Sequence, residues 1–167
     1  AGNDTIDFFL SGWVEAGGSA NISQNYFYGE GGEGDDSLNL NWWNFSNGGF
    51  LDFSFNTADL IGGAGSDTIT AYLGEAISDS FISLTGDDGD DFIQSSDLGQ
   101  RNERLISGGA GNDTIVDEVG FSTVVFDGSF ADYTLTALSG GWVFIPDNPE
   151  GAADLRGTPC REILHHR

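Results

Sequence analysis

The chain has 167 residues and a formal net charge of −22, because 27 acidic residues face only five basic ones, all of them Arg. A surface this acidic repels nucleic acid, whose phosphates need Lys and Arg for binding. No apolar stretch approaches the length of a membrane span, and the chain is long enough to bury the core of one domain.

Taken in chain order, short runs rich in β-branched and aromatic residues alternate with Gly-rich turns. Such runs cover residues 5–10, 50–55 and 68–73, and they predict strands. Residues 95–104 are polar and predict a loop or a short turn of helix. No segment shows convincing helical periodicity, and 26 Gly residues favour turns, so we expect an all-β fold.

A nine-residue phrase recurs at the turns, with Gly at its first, second and fourth positions, Asp at the sixth and an aliphatic residue at the eighth. Complete copies begin at Gly31, Gly62 and Gly108, a degenerate copy begins at Gly86, and residues 1–6 match the later positions of a fifth. Gly lets the backbone turn so that its carbonyls point inward, and Asp adds a carboxylate. Hard oxygen ligands of this kind suit Ca²⁺.

The phrase resembles the calcium-binding nonapeptide repeats of the RTX (repeats-in-toxin, haemolysin-type) family. The resemblance implies a parallel β-roll, in which the first six residues form a calcium turn and the last three form a short strand. It also implies that the sixth-position Asp bridges successive turns, that turn carbonyls complete the sites, and that the eighth residue points into the core. The sixth-position residues are Asp4, Asp36, Asp67, Asp91 and Asp113. The eighth-position residues are Ile6, Leu38, Ile69, Ile93 and Ile115. The other turn residues assigned to the sites are Gly31, Gly32, Glu33, Gly34, Gly62, Gly63, Ala64, Gly65, Gly86, Asp88, Gly89, Gly108, Gly109, Ala110 and Gly111.

The spacing of the copies departs from the tandem pattern of that family, in which the phrases follow one another directly. Here the complete and degenerate copies are separated by steps of 31, 24 and 22 residues. We therefore expect a parallel β-roll or β-helix solenoid with one calcium turn per coil, and up to four Ca²⁺ ions in the gaps between five stacked turns. Asp87 replaces a Gly of the phrase, so we expect a strained turn and a weaker or missing ion there.

The acidic charge also bears on folding, because self-repulsion opposes a compact state and a bound cation favours it. Four sites held at 100 times their dissociation constant would stabilise the fold by about 11 kcal/mol. That is comparable to the whole stability of a typical domain. We therefore expect the chain to be largely disordered without calcium and folded with it. The family resemblance implies a secreted, extracellular or cell-surface protein. The chain begins within a repeat and contains no Met, so we interpret it as a piece of a longer protein.

The Gly-Asp phrases are replaced by apolar runs after residue 123. Apolar runs at 124–128, 131–136 and 140–145 predict antiparallel strands, and they resemble the hairpin that caps many RTX rolls. We therefore divide the chain into calcium-binding repeats (1–123), C-terminal capping strands (124–150) and a tail (151–167). The tail contains Cys160, interpreted as a free thiol or an intermolecular disulfide partner, and His165 and His166, interpreted as a solvated chain end or as metal ligands.

The sequence gives no sign of a self-contained enzyme. Both His residues lie at the extreme C-terminus, which disfavours Ser-His-Asp or Cys-His catalysis, and a zinc-protease His-Glu-x-x-His motif is absent. Paired carboxylates of the kind used in sugar chemistry cannot be singled out among so many acidic residues. We interpret most of those residues as calcium ligands or solvated charge.

Aromatic residues in the longest segment between repeats support a second hypothesis. Trp42, Trp43 and Phe45 lie among Asn residues, as in sugar-stacking platforms and adhesive patches. The simpler interpretation is that Trp42, Phe45, Phe50 and Phe53 fill the core, since alternate residues of a strand point inward. A third interpretation is an interface with other protein chains.

Taken together, the sequence predicts calcium binding that drives the folding and stability of a secreted β-roll module with a structural or adhesive role. The alternative is a carbohydrate-binding or accessory module of a secreted polysaccharide-active enzyme. The expected partners are calcium and, beyond it, other protein chains or an extracellular glycan, with no nucleic acid and no membrane span.

Overall fold

The computed structural model describes residues 2–118, 122–127, 133–138, 141–146, 154–157 and 162–166, with side chains at 2–43, 47–118 and 122–125. Within these ranges every regular element is a β-strand, which confirms the expected all-β class. The strands are β1 (Thr5–Glu15), β2 (Ser19–Asn21), β3 (Tyr26–Glu33), β4 (Ser37–Asn47), β5 (Phe50–Asp52), β6 (Thr57–Ala64), β7 (Thr68–Leu73), β8 (Phe81–Asp88), β9 (Phe92–Asp97), β10 (Glu103–Ala110), β11 (Thr114–Asp117), β12 (Ser122–Asp127), β13 (Tyr133–Leu138), β14 (Gly141–Pro146), β15 (Asp154–Gly157) and β16 (Glu162–His166). A search of the described residues finds no helix with the length and apolar character that a membrane crossing requires.

Two six-stranded parallel sheets form the body of the fold. The first sheet has the order β1-β4-β7-β9-β11-β15, and the second has the order β16-β12-β10-β8-β6-β3. Up to β12, and apart from the short strands β2 and β5, successive strands along the chain alternate between the two sheets. Each strand then pairs in parallel with the strand that lies one repeat further along the chain. The predicted parallel pairing is therefore confirmed.

The core forms between the two sheets because the strands alternate buried and exposed side chains. β7 and β9 share the pattern of a buried residue at every second position, as half-buried strands require. Leu38, Ile69, Ile93 and Ile115 are fully buried in one apolar cluster, and Ile6 packs against it. Residues of the second sheet, such as Leu60 and Leu84, belong to the same cluster. The prediction that the eighth residue of each phrase points inward is confirmed.

Each nine-residue phrase passes from the second sheet to the first. Its first three residues end a strand of the second sheet, its next three form the connecting turn, and its last three begin a strand of the first sheet. These turns are residues 34–36, 65–67, 89–91 and 111–113, and together they form what we call the Gly-Asp edge. The connections that return from the first sheet to the second lie at the other margin, which we call the opposite edge.

We call the segment from one phrase to the next a coil. Coils differ in length only on the path through the first sheet and the opposite edge. β4 has 11 residues, whereas β7 and β9 have six each. The extra residues of β4 pair with the end of β1, where Trp13 lies beside Phe45. β2 and β5 pair beyond them in a small parallel sheet of their own. The first two coils are therefore wider than the later ones on that side.

The polar segment 95–104 is half strand and half connection, so the expected loop is present only in its middle part. β9 continues to Asp97 and β10 begins at Glu103, so that only residues 98–102 form the connection. The polar side chains of Ser95, Asp97 and Arg104 are buried between the sheets. The buried groups have hydrogen-bond partners, since Arg104 donates to Ser95 and Asp97 accepts from Asn102.

The C-terminal part contains the expected antiparallel hairpin, formed by β13 and β14. β12, which lies within the segment assigned to the cap, instead pairs in parallel with β10 and extends the second sheet. β15 and β16 lie within the segment assigned to the tail, and they pair with β11 and β12 respectively. Cys160 lies outside the described residues, and so do the side chains of His165 and His166.

Candidate metal centre

The sixth-position Asp residues of the phrase form a column along the Gly-Asp edge. The backbone N–H of Asp36 donates to Oδ1 of Asp67 at 2.7 Å, that of Asp67 donates to Asp91 at 2.8 Å, and that of Asp91 donates to Asp113 at 3.0 Å. Asp4 joins the column through its N–H, which donates to Asp36 at 2.6 Å. The structure therefore brings together all five Asp residues that the sequence analysis assigned to the site.

The two oxygens of these carboxylates differ in their hydrogen bonding. Oδ2 of Asp36, Asp67 and Asp91 is buried and has no hydrogen-bond partner among the described residues. A buried carboxylate oxygen without a partner costs free energy, so native proteins normally satisfy it with a donor, water or a cation. These three oxygens are the strongest sign of a ligand in the described part of the chain.

Each such oxygen faces a cradle that glycine leaves open. A methyl group on Gly62 would lie 2.3 Å from Oδ2 of Asp67 and 2.8 Å from the carbonyl oxygen of Gly86. The same pair of oxygens recurs at Gly31, beside Asp36 and Gly62. The third cradle is at Gly86, beside Asp91 and Gly108. Any side chain at the first position of the phrase would fill this space, so the cradle needs Gly.

Three such cradles, each with a buried Oδ2 and a first-position carbonyl, are present in the described residues. At Gly108 the three nearest atoms all belong to Asp113, so that a carbonyl from a further turn is not among them. At the other end Asp4 is exposed, whereas Asp36, Asp67, Asp91 and Asp113 are buried. The complete cradles are those formed between the turns at 34–36, 65–67, 89–91 and 111–113.

The remaining turn residues make contacts between neighbouring turns. The third-position carbonyls of Ala64, Asp88 and Ala110 accept hydrogen bonds at 2.8 Å from the N–H groups of Gly34, Gly65 and Gly89. Residues at the same position of the phrase lie side by side on neighbouring strands. At the second position these are Gly32, Gly63, Asp87 and Gly109, and at the third they are Glu33, Ala64, Asp88 and Ala110. The first-position carbonyls of Gly62, Gly86 and Gly108 lie with the buried Oδ2 atoms around the cradles.

Asp87 adopts the backbone conformation that the phrase normally gives to Gly. Its φ is 75°, close to the 97° to 108° of Gly32, Gly63 and Gly109. A left-handed φ strains a residue that carries a Cβ, so the expected strain is present. The neighbouring cradle at Gly86 is nevertheless formed, because both of its oxygens are in place.

Burial raises the pKa of the carboxyls of Asp67, Asp91 and Asp113 in the absence of a cation. The pKa of Asp91 rises to about 7, because the group is desolvated and because Asp113, Asp67 and Asp87 repel its charge. Desolvation also raises the pKa of Asp113, to about 6. A carboxyl in such surroundings resists ionisation unless a positive charge is close by. A divalent cation in the cradle would supply that charge and displace the proton.

A second column, on the opposite edge, was missed by the sequence analysis. The N–H of Asn25 donates to Oδ1 of Asn56 at 2.9 Å, that of Asn56 to the hydroxyl of Ser80 at 3.2 Å, and that of Ser80 to Oδ1 of Asn102 at 3.0 Å. We call these four residues the amide column. A sequence signal for them exists, since each lies six residues before the first Gly of a phrase.

A buried polar cluster beside the last coils was also missed. Arg104 donates to Asp117 at 2.6 Å and to the hydroxyl of Ser95 at 2.6 Å. The hydroxyl of Ser122 donates to the other oxygen of Asp117. Both charged side chains are almost completely buried. Because the Asp117 carboxylate is occupied on both oxygens, this cluster is a structural ion pair and not a second cradle.

The aromatic residues are divided between the core and the surface. Trp42 and Phe53 are fully buried, so the surface interpretation of Trp42 is wrong. Trp43 is 51% exposed and stacks on Tyr72, with ring centroids 5.8 Å apart and planes inclined by 18°. Phe50 is 69% exposed, so the core interpretation of that residue is wrong. The side chain of Phe45 lies outside the described residues.

Among the described residues no group of three or more His, Cys, Asp or Glu side chains is placed to hold a metal ion. The cradles differ from such groups because they combine one carboxylate with backbone carbonyls, a ligand set that hard cations accept. Comparison with family models, curated proteins and solved structures gave no match to this chain.

Proposed function

We propose that this chain is a calcium-binding β-roll module of the RTX type, in which Ca²⁺ binding drives folding and stability. The observation that carries the proposal is the buried Oδ2 of Asp36, Asp67 and Asp91, each without a described partner and each beside a Gly cradle. The alternation of the chain between two parallel sheets supports a roll with one metal turn per coil.

In each gap the Asp carboxylate and the first-position carbonyl of the following turn would hold the ion. A bound Ca²⁺ supplies a positive charge that neighbouring turns share. The chain itself supplies the cradle, the buried oxygen and a column of hydrogen bonds that keeps successive carboxylates aligned. Oxygen ligands with a high negative charge favour Ca²⁺ over softer metals.

The proposed role is structural or adhesive, within a secreted or cell-surface protein. The net charge of −22 makes the compact state self-repelling, so each bound cation stabilises it. Three sites at 100 times their dissociation constant would contribute about 8 kcal/mol to the free energy of unfolding. Extracellular calcium would then couple folding to the compartment in which the protein works.

The test is far-UV circular dichroism during a calcium titration that starts from the chelated protein. We expect a cooperative gain of β signal with Ca²⁺ that an equal concentration of Mg²⁺ does not reproduce, because Mg²⁺ dehydrates reluctantly and demands a stricter geometry. Isothermal titration calorimetry should give three sites per chain. A β signal that is already complete in chelator, together with no heat of binding, would rule the proposal out.

A second candidate function is glycan binding on the outer face of the first sheet. Trp43 and Tyr72 form a stacked, partly exposed ring pair, and Phe9 and Trp13 are 67% and 65% exposed on β1. Asn39, which bonds Asp7 and Thr70, adds amide groups beside these rings. Rings and amides of this kind suit the apolar faces and hydroxyls of a sugar.

A glycan array separates the two roles. Specific binding that Trp43→Ala abolishes, and that the exposed control Phe50→Ala leaves intact, would favour the glycan-binding module. The absence of binding, together with a stable multimer in size-exclusion chromatography, would favour the structural role.

A further inference from the structure

The two edges of the fold use the same hydrogen-bond pattern with different side chains. At the Gly-Asp edge, Oδ1 of Asp67 accepts a hydrogen bond from the N–H of Asp36. The backbone carbonyl of Asp67 accepts one from the N–H of Phe92. At the opposite edge, Oδ1 of Asn56 accepts the N–H of Asn25, and its carbonyl accepts the N–H of Phe81. Each column therefore ties one coil to the coils on both sides.

The columns differ in their second polar atom. Nδ2 of Asn56 donates to the carbonyl of Ile22 at 2.9 Å, and Nδ2 of Asn102 donates to Asp97 at 2.9 Å. The hydroxyl of Ser80 donates to the carbonyl of Ser78 at 3.0 Å. The amide column is thus satisfied by the protein alone, whereas the carboxylate column leaves Oδ2 without a described partner.

The backbone on the opposite edge repeats from coil to coil. The residue before each member of the amide column has a left-handed φ of 51° to 60°. These residues are Gln24, Phe55, Asp79 and Arg101. Asn56, Ser80 and Asn102 are buried, so their hydrogen bonds are shielded from water.

The two columns are linked by a span of constant length. Asn25 precedes Asp36 by the same eleven positions that separate Asn56 from Asp67, and the same holds for Ser80 with Asp91 and Asn102 with Asp113. An eight-residue strand of the second sheet fills each span. A register fixed at the amide column is therefore transmitted to the carboxylates of the same coils.

We propose that the amide column is a metal-independent register device that aligns the carboxylates before any cation binds. Its members act as positioning residues for the cradles. The amide edge stays paired when calcium is removed, and the Gly-Asp edge opens. The proposal extends the calcium function described above, but its key measurement is made without metal.

The first test is amide hydrogen exchange by NMR on the full chain in excess chelator. We expect the N–H groups of Asn25, Asn56 and Ser80 to exchange at least tenfold more slowly than those of Asp36, Asp67 and Asp91. Equal exchange at the two edges would overturn the proposal, as would exchange at unfolded rates throughout. Unfolded rates throughout would leave the calcium function standing, which the calcium titration tests separately, whereas equally slow exchange at both edges would contradict both proposals.

The second test uses substitutions at Asn56. Asn56→Asp keeps the oxygen that accepts from Asn25 but loses the donor to Ile22, so the calcium concentration at the midpoint of folding should rise at least tenfold. Asn56→Ser reproduces the hydroxyl found at Ser80 and should remain within about threefold of the parent. Asn41→Asp adds the same charge at an exposed position of the first sheet and should leave the midpoint unchanged.

A shared response of Asn56→Asp and Asn41→Asp would show that charge alone acts, and the register device would be rejected. Loss of slow exchange at Asn25 in chelated Asn56→Asp, with slow exchange retained in Asn56→Ser, would support it. A merely structural role at one position would not change exchange at the neighbouring coil in this selective way.

Discussion

The backbone N–H of Asp67 donates to Oδ1 of Asp91 at 2.8 Å, while Oδ2 of Asp91 is buried without a described partner. One carboxylate therefore performs two tasks, since one oxygen joins two coils and the other is left for a ligand. Oδ1 therefore holds neighbouring turns together, and Oδ2 is left for a ligand. A substitution that keeps Oδ1 but removes the charge tests the two tasks separately.

Asp91→Asn should remove one calcium site and leave the column intact. The amide keeps the Oδ1 acceptor for Asp67 but lacks the charge that a cation requires. At 100 times the dissociation constant, the loss should lower the calcium-dependent part of the free energy of unfolding by about 2.7 kcal/mol. Calorimetry should count two sites instead of three. Glu75→Gln, an exposed change of equal charge on the opposite edge, should keep all three.

Asp87→Gly should stabilise the protein by about 0.5 to 1 kcal/mol, because it relieves a left-handed φ in a residue with a Cβ. Urea denaturation in saturating calcium measures the effect. Asp88→Gly removes the same charge from the neighbouring position, where φ is not left-handed, and should give no gain. If the Asp87→Gly variant were no more stable than the Asp88→Gly variant, the strain at Asp87 would not be significant.

Calcium should largely remove the pH dependence of stability between about pH 5 and pH 7. In the metal-free protein the pKa of Asp91 is raised to about 7 and that of Asp113 to about 6, so the folded state binds protons that the unfolded state has released. Stability then decreases as pH rises from about 4 to about 7. In saturating calcium the carboxylates of the folded protein are ionised, as those of the unfolded chain are above about pH 5, so little change in stability with pH should remain.

The β content measured by far-UV circular dichroism at pH 5 and pH 8, each with chelator and with calcium, provides the measurement. In Asp91→Asn the metal-free difference between the two pH values should shrink, because the group with the larger shift is gone. A metal-free protein that is more stable at pH 8 than at pH 5 would contradict the assignment of these buried carboxyls.

The ion pair of Arg104 and Asp117 should respond more strongly than that of Arg101 and Asp79. The first pair is buried, so Asp117→Asn leaves a buried guanidinium uncompensated and should cost about 3 to 5 kcal/mol. In the second pair the Arg side chain is 68% exposed, so Arg101→Ala should cost less than about 1 kcal/mol. Denaturant unfolding of both variants in calcium compares them, and equal losses would refute the distinction.

The sequence predicted the parts of the fold that depend on local signals. Glycines, Asp and an aliphatic residue at fixed positions predicted the turns and the inward side chains of Leu38, Ile69 and Ile93, and all three are buried. Asp91 and Gly86 were likewise assigned to one site before their contact was known. These predictions held because the phrase carries both the turn and the start of the next strand.

The parts that were missed depend on pairing between distant coils. Asn56 bonds a residue 31 positions earlier and one 24 positions later, so its role is visible only when unequal coils are aligned. The sequence analysis placed Arg104 in a loop because its neighbours are polar. Its side chain is buried, where Asp117 neutralises its charge and Ser95 accepts a hydrogen bond from it. Trp42 and Trp43 are adjacent in sequence, and only strand direction separates the core residue from the exposed one.

The constant span from Asn56 to Asp67 contrasts with the variable path that leads from each Asp to the next member of the amide column. That path takes twenty positions from Asp36 to Asn56 but only eleven from Asp91 to Asn102. Chain can therefore be inserted there at little cost in loop-closure entropy. A foreign peptide grafted at Glu75, on this path and at an exposed position, would be displayed at the rim while the turns of the Gly-Asp edge keep their geometry. The fold thus has the form of a display scaffold, with one margin of constant geometry and the other open to new sequence.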